Sequence, residues 1–178
     1  MQRAWWLVIL LASAASGRAD TIALWDFTAP SGAESVPDAS GFGNHAQRVG
    51  VIRFAAVAGR QSKVLHLAGQ GLLEIPDAHV FDFRDDFTIE VVARTEDSGS
   101  QYLFVRSSMQ GEVWIRQHCK GGHDAAVAAL VKSEQGVDLL VSGPRAIADG
   151  RFHHVALVRR VSDPDQPGRL ELLIDGRI

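Results

Sequence analysis

Apolar residues in this chain occur in short runs that Gly, Pro, Asp and Ser interrupt every few positions. No long segment shows the repeat of an amphipathic helix, whereas several runs alternate apolar and polar residues, as half-buried strands do. Short runs with turn residues between them are typical of all-β sandwiches and barrels. We therefore predict one all-β domain, with strands at 21–27, 51–54, 63–68, 72–75, 87–95, 101–106, 112–118, 125–132, 137–141, 152–160 and 170–175.

Two of these segments indicate which face is buried. Positions 87, 89, 91 and 93 are all apolar, as are positions 170, 172 and 174, and alternate side chains share one face of a strand. Fully burying one such side chain contributes roughly 1.5–3 kcal/mol, but only if a second apolar layer covers it. We therefore predict a two-sheet antiparallel sandwich. Segment 125–132 is rich in alanine, which favours helix, but it is short and lies between strand-like runs, so we predict a strand there.

The N-terminus has the pattern of a secretory signal peptide. A short charged start is followed by the apolar run AWWLVILLA at 4–12 and then by small residues. The run is too short to span a membrane, which takes roughly 20 apolar residues. We predict that residues 1–19 are removed, with cleavage after Ala19 or, alternatively, after Ala14, and that residues 20–178 form the exported domain. The other interpretation of this segment is a buried N-terminal helix.

Cysteine content fits an exported chain that has no internal disulfide. Cys119 is the only cysteine, so the chain cannot form an internal disulfide. No cysteine lies at the expected cleavage sites, which argues against a lipid-anchored lipoprotein. We expect an extracellular, periplasmic or cell-surface location without a transmembrane segment.

Two Asp-Gly pairs lie beside apolar strand-like runs, at Asp149-Gly150 and at Asp175-Gly176. Such a pair is the strongest short-range hairpin signal, because Gly tolerates positive φ at little cost. After Asp175-Gly176 only Arg177 and Ile178 remain, so the expected return strand is absent. We therefore expect this domain to be truncated at its C-terminus within a longer protein.

Five motifs follow one another in a recognisable order: LWDF at 24–27, DASGFGNH at 38–45, the glycine-containing segment 67–76, FTIE at 87–90, and DGRFHHVA at 149–156 leading to LLIDG at 172–176. Together they resemble the laminin-G-like, concanavalin A-like jelly-roll domains of the lectin and glucanase superfamily. Phe152 stands where Trp is more usual. The resemblance covers nearly all of residues 20–178 and implies a jelly-roll sandwich with further strands after the last turn. It also implies binding of carbohydrate or another extracellular ligand.

A loop with oxygen-bearing side chains follows the first predicted strand of the exported domain. Asp38, Ser40 and Asn44 offer carboxylate, hydroxyl and amide oxygens, the ligands that Ca²⁺ takes, and the family resemblance implies a structural calcium in many members. Asp38 and Asn44 are therefore candidate calcium ligands. The alternative is turn chemistry, in which Asp, Ser and Asn bond to their own backbone. One carboxylate is few for an ion that takes six or more oxygens.

Two histidine-containing motifs resemble metal sites. His153 and His154 are adjacent on a predicted strand, so their side chains point to opposite faces and cannot meet at one ion. We expect one to be packed and the other to face outward. His118, Cys119 and His123 could hold Zn²⁺, but structural zinc usually takes four protein ligands at defined spacing, so this site is disfavoured.

One face of the strand 112–118 carries the residues best suited to ligand binding. Glu112, Trp114, Arg116 and His118 alternate on it, and an indole beside ionisable groups suits sugar recognition. Tyr102, and also Arg106, could lie nearby on the preceding strand. The alternative is a solvated outer face with one amphipathic Trp. We take Trp114, Arg116, Glu112 and Tyr102 as the candidate ligand-binding residues.

Nothing in the sequence indicates catalysis. The Glu-x-Asp-x-(x)-Glu motif of the catalytic superfamily members, a phosphate-binding Gly-rich loop and a Gly-x-Ser-x-Gly turn are all missing. A formal net charge of -3 with scattered Lys and Arg gives no footprint for nucleic acid. We expect a secreted or surface binding module for a glycan or an extracellular protein ligand. The alternatives are an accessory N-terminal domain of a longer exported glycoside hydrolase such as a sialidase, and a structural adhesion module with no sugar site.

Overall fold

The computed structural model describes residues 5–15, 18–28, 33–56, 63–76, 81, 83, 85–108, 111–120, 123–133, 138–161 and 169–178. Within these ranges the chain is all-β, as the sequence predicts, and contains no helix. No helix of the length and apolarity needed to cross a membrane occurs in the described part of the chain. The strands are β1 (Trp5–Ala15), β2 (Arg18–Trp25), β3 (Ser35–Val36), β4 (Ala46–Ala56), β5 (Lys63–Glu74), β6 (Phe87–Arg94), β7 (Gln101–Ser108), β8 (Gly111–Lys120), β9 (His123–Ser133), β10 (Asp138–Ala146), β11 (Phe152–Arg160) and β12 (Arg169–Ile174).

The strands form two antiparallel sheets. The larger sheet has the order β12-β11-β6-β1-β5-β4-β3, with β2 paired to β1, and the smaller sheet has the order β10-β9-β8-β7. Buried side chains from both sheets belong to one hydrophobic cluster, in which Trp25, Ile89 and Ile115 are at most 1% exposed. The alternation predicted for 87–95 is confirmed, since Phe87, Ile89, Val91 and Ala93 are all buried.

The alanine-rich segment is strand β9, as predicted, and it lies between β8 and β10. Val127, Ala129 and Val131 are buried and the intervening residues are not, which is the alternation of a strand. Packing of this apolar face against the core therefore outweighs the helix propensity of alanine.

Two predicted strands, 63–68 and 72–75, are a single strand β5 that pairs with β4 along its length. The prediction was wrong because glycine interrupts the pattern between them. Gly71 has a packing reason to be glycine, since a Cβ there would lie 2.6 Å from the carbonyl oxygen of Val51. The pairing with β4 shifts register between Gly50 and Ile52, which accommodates this close approach.

The two Asp-Gly pairs have different roles. Asp175 and Gly176 have φ of 51° and 74°, and Ile174 and Arg177 exchange backbone hydrogen bonds at 2.8 and 3.1 Å. Positive φ at both central residues is the signature of a type I′ turn, so this prediction is confirmed. Asp149-Gly150 instead joins β10 of the small sheet to β11 of the large sheet, so the expectation of a hairpin there is wrong.

The N-terminal segment forms strand β1, which pairs with β6 from Trp6 to Ser13 and also with β2 and β5. The interpretation of this segment as a buried helix is therefore wrong for Trp5–Ala15. The signal peptide, its cleavage site and the division at residue 20 stay predictions. They carry a structural consequence, because removal of β1 would leave β6 without one of its two neighbours.

Candidate functional site

The alternation of strand β8 divides its side chains between the core and the outer face of the small sheet. Val113, Ile115 and Gln117 are buried, with exposed fractions of 3%, 0% and 0%. Glu112, Trp114 and Arg116 therefore lie together on the opposite face, where each is half-buried. The sequence prediction that these three residues share a face is confirmed.

A β-bulge brings Tyr102 onto the same face. The register between β7 and β8 shifts between Tyr102 and Phe104, so that Tyr102 lies opposite Arg116 and Val105 lies opposite Trp114. Leu103 and Phe104 are consecutive buried residues, which a regular strand would not allow. The extra residue leaves Tyr102 and Val105 both outward, each 53% exposed. Tyr102 is therefore the most exposed aromatic ring of this face among the described residues.

Tyr102, Trp114 and Arg116 form a contact cluster, which we call the aromatic–arginine cluster. The Arg116 guanidinium carbon lies 4.9 Å from the centre of the Trp114 ring system and 5.5 Å from that of the Tyr102 ring. The two aromatic side chains meet edge to face, with centroids 6.4 Å apart at 82°. Both arrangements are attractive, the first through the ring quadrupoles and the second through their edge-to-face alignment.

The cluster carries a positive charge that no acidic side chain neutralises among the described residues. The cross-strand neighbours of Arg116 are Tyr102 on β7 and Ala128 on β9. Glu112 is four residues along the strand, which places its Cα about 13 Å from that of Arg116 at the usual rise, and no ion pair joins the two side chains among the described residues. Arg116 Nε is buried and has no hydrogen-bond partner in the part of the chain that the structure describes.

Of the other residues predicted near this face, Arg106 turns away from it. Its guanidinium lies 5.9 Å from the centre of the Phe83 ring, on the core side. The side chains of His118, Cys119 and His123 are outside the described residues, so the zinc interpretation is not tested there. Glu112 shares the face but does not contact the cluster in any described interaction.

Sequence reasoning missed the role of Gln117, which supports the cluster from the buried face of the small sheet. Its Nε2 donates hydrogen bonds to the carbonyl oxygens of Asp97 and Gly99, at 2.6 and 3.0 Å. These bonds fix the connection that leads from β6 into Tyr102. The signal available in the sequence was a polar residue at an inward-facing position of β8, where the other inward-facing residues are apolar.

The candidate calcium loop is held together by Asp38. Its Oδ1 accepts hydrogen bonds from the backbone N–H groups of Leu24 and Ser40, and its Oδ2 accepts from the Ser40 hydroxyl and the Asn44 N–H, at 2.7 to 2.9 Å. Asn44 in turn donates from Nδ2 to the Ile22 carbonyl, and its own carbonyl accepts from the Trp25 indole. The loop is therefore tied to β2 by its side chains.

Burial opposes ionisation of Asp38, but hydrogen bonds from the Ser40 side chain and from the backbone of Leu24, Ser40 and Asn44 outweigh it. They hold the pKa of Asp38 below its ordinary value of 3.8. Both carboxylate oxygens already accept two hydrogen bonds, so this arrangement does not fit direct coordination of a cation by Asp38. The described residues contain no group of three or more His, Cys, Asp and Glu side chains placed around a metal position. Calcium at Asp38 and Asn44 stays a prediction for chelation to test.

The histidine pair behaves as expected from strand alternation. His153 is 4% exposed, whereas the His154 side chain is 42% exposed and lies 3.6 Å from Glu90. His153 links the two Asp-Gly pairs, because its Nε2 lies 2.9 Å from Asp149 Oδ1 and its Nδ1 lies 2.9 Å from Asp175 Oδ2. The hydrogen bond from His153 is the main cause that lowers the pKa of Asp149.

Comparisons with models of known protein families, with curated proteins and with solved structures gave no match to this chain. The laminin-G-like resemblance therefore rests on the sequence motifs. In the structure, residues of those motifs chiefly hold the fold, since Asp38, Asn44 and His153 bond to other parts of the chain. The aromatic–arginine cluster lies outside the motifs.

Proposed function

We propose that this chain is a non-catalytic binding module of an exported protein, with a laminin-G-like jelly-roll sandwich, and that it recognises a glycan on the outer face of the small sheet. The observation that carries the proposal is the aromatic–arginine cluster. Exposed Tyr102 offers a ring for stacking against a sugar, and Arg116 offers hydrogen-bond donors beside it. The two antiparallel sheets with a shared core support the sandwich.

The geometry of the cluster also suggests a separate role for each of the two rings. Arg116 lies over Trp114 at the shorter distance, 4.9 Å, so the indole is partly covered by its own neighbour. Tyr102 is the more exposed ring, which makes it the stacking group, while Trp114 positions Arg116. Tyr102→Ala should therefore reduce glycan binding by removing a direct contact. Trp114→Ala should reduce it by releasing the guanidinium.

A glycan array probed with the full chain tests the proposal, followed by titration of the glycans that are retained. We expect Tyr102→Ala and Trp114→Ala to lose retention while the melting temperature changes little. The matched control is Phe42→Ala, which removes an aromatic ring that is 60% exposed on the loop around Asp38, away from the cluster. Equal retention by all three variants would contradict the proposal.

A second candidate function, a structural adhesion or protein-contact module, is favoured by a different surface. Val49, Val51 and Leu72 on β4 and β5 are 42%, 52% and 51% exposed, and Val49 lies opposite Leu72. Exposed apolar side chains that lie side by side are a common feature of protein-contact surfaces. Retention of no glycan by the wild-type chain would leave this second candidate in place of the first. An accessory role beside a glycoside hydrolase domain is compatible with either.

A further inference from the structure

The charge of the aromatic–arginine cluster narrows the class of glycan. Arg116 carries five N–H donors, and its contacts with Tyr102 and Trp114 use the π faces of the rings rather than these N–H groups. Because Nε is buried, the terminal Nη groups are the donors that a ligand can reach. Arg116 Nε has no hydrogen-bond partner among the described groups. The guanidinium is thus held in place by rings rather than by an acid.

The surroundings of Arg116 leave its positive charge uncompensated. On the described part of this face its neighbours are aromatic or aliphatic, namely Tyr102, Trp114 and Ala128. The Cα atom of Glu112 lies about 13 Å from that of Arg116 by strand rise, and no ion pair joins the two side chains among the described residues. Lys132 lies opposite Glu112 in the sheet, and Glu112 therefore has a basic neighbour of its own. A partly desolvated cation without a counter-ion favours a ligand that brings the negative charge.

We infer that the cluster binds an acidic glycan whose sugar carries a carboxylate, such as a uronate. The inference rests on the proposed function and specifies its ligand class. The carboxylate accepts paired hydrogen bonds from the Arg116 fork, whose planar geometry matches it, and the apolar face of the sugar ring lies against Tyr102. A single arginine without an acidic neighbour matches a ligand that presents one carboxylate to the site. Densely sulfated glycans are better matched by clusters of basic residues.

The test compares pairs of oligosaccharides that differ only in the carboxyl group. Oligogalacturonate, alginate and hyaluronan fragments are each titrated into the full chain beside the same fragment with its carboxyl groups reduced to alcohols. We expect at least one acidic fragment to bind about tenfold or more tightly than its reduced counterpart. The preference should shrink as salt is raised, because screening weakens the charge term.

Variants identify the residue responsible. Arg116→Gln should abolish the preference for the acidic fragment, and Arg116→Lys should keep a reduced preference, because a point charge replaces a fork. Arg53→Gln is the matched control, since it removes an exposed arginine from β4 of the other sheet and should leave the preference intact. Thermal unfolding of each variant shows that the fold is retained.

The outcomes separate the two proposals. Equal binding of acidic and reduced fragments, lost in Tyr102→Ala, would overturn the carboxylate inference and leave the proposed glycan function standing. A sulfated glycan that binds more tightly than every carboxylated fragment would also overturn the inference. Failure of all acidic, neutral and sulfated fragments to bind would overturn both.

Discussion

The Nδ1 atom of His153 lies 2.9 Å from the carboxylate of Asp175, a residue 22 positions later in the chain. On its other side, Nε2 of the same ring lies 2.9 Å from Asp149. The backbone adds to the connection, since Asp175 Oδ1 accepts from the His154 N–H and the Asp175 N–H donates to the His154 carbonyl. One buried imidazole thus ties the start of β11 to the turn after β12.

Replacement of His153 should destabilise the fold far more than replacement of its neighbour. His153→Ala removes one hydrogen-bond partner from each of two carboxylates and opens a cavity, which we expect to cost about 1–3 kcal/mol of unfolding free energy. His154→Ala is the matched control, because that side chain is 42% exposed and its backbone bonds remain, so its cost should stay below about 0.5 kcal/mol. Urea unfolding of both variants measures the difference. Equal losses would contradict the role assigned to the buried ring.

Asp38 should be the most sensitive residue of the loop between β3 and β4. Asp38→Ala removes the acceptor for three backbone N–H groups and one hydroxyl, and we expect a loss of about 2–4 kcal/mol. Ser40→Ala removes only the hydroxyl contacts and should cost about 0.5–1.5 kcal/mol. Chemical denaturation of the two variants beside the wild type compares them. A smaller loss for Asp38→Ala than for Ser40→Ala would contradict the central position of the carboxylate.

Chelation tests the calcium prediction on the same loop. If Asp38 and Asn44 bind calcium, chelator should lower the melting temperature of the wild type and added Ca²⁺ should restore it, because an ion bound only to the folded state stabilises that state. Asp38→Ala should then show no response to either addition. An unchanged melting temperature in the wild type, with no ion found by elemental analysis, would contradict the calcium prediction. The loop would then rest on its hydrogen bonds alone.

The fold should lose stability in acid. The pKa values of Asp38 and Asp149 are lowered in the folded state, so their contribution is present above the ordinary value of 3.8. It is lost as pH falls from there through the folded-state pKa, because protonation then favours the unfolded chain. Unfolding free energies measured between pH 6 and pH 3 should therefore fall toward pH 3. The fall should be shallower in Asp38→Asn and in Asp149→Asn, with the smaller change for the half-exposed Asp149. Identical pH profiles for the wild type and both variants would contradict this assignment.

Local alternation predicted most of the strands but not their partners. The pattern of 87–95 and the Asp-Gly turn at Asp175 were readable, because side-chain period and positive φ are local properties of the sequence. The connection at Asp149 was misassigned, since an Asp-Gly pair does not say which sheet receives the next strand. The glycine-interrupted strand β5 was divided for a similar reason, because the close approach that requires Gly71 involves β4.

The candidate site was predictable in part. Alternation along β8 placed Glu112, Trp114 and Arg116 on one face. The exposure of Tyr102 depends on a β-bulge, which reverses the faces to which successive side chains of β7 point. The sequence has no clear signal for this bulge. The hydrogen bonds from Leu24 to Asp38 and between His153 and Asp175 join residues 14 and 22 positions apart, so no local pattern could show them.

Strand β1 leads to the last prediction, which concerns the fate of the N-terminal segment. The signal-peptide pattern predicts that the exported chain begins at Asp20, and N-terminal sequencing of secreted protein checks this directly. A sequence that begins at Met1 would contradict the export prediction. Cleavage at Ala19 removes the whole of Trp5–Ala15, which pairs with β6 over eight residues in the unprocessed chain.

Hydrogen exchange can then show what that removal does to the sheet. Alternate backbone N–H groups of Phe87–Arg94 point toward β11 and toward β1, because successive residues of a strand bond to opposite neighbours. In the unprocessed chain both sets should be protected. In the chain that begins at Asp20, the set facing β11 should stay protected while the set facing the position of β1 exchanges faster, and the exposed edge should promote association. Protection of both sets in the processed chain would contradict this and show that another strand pairs with β6.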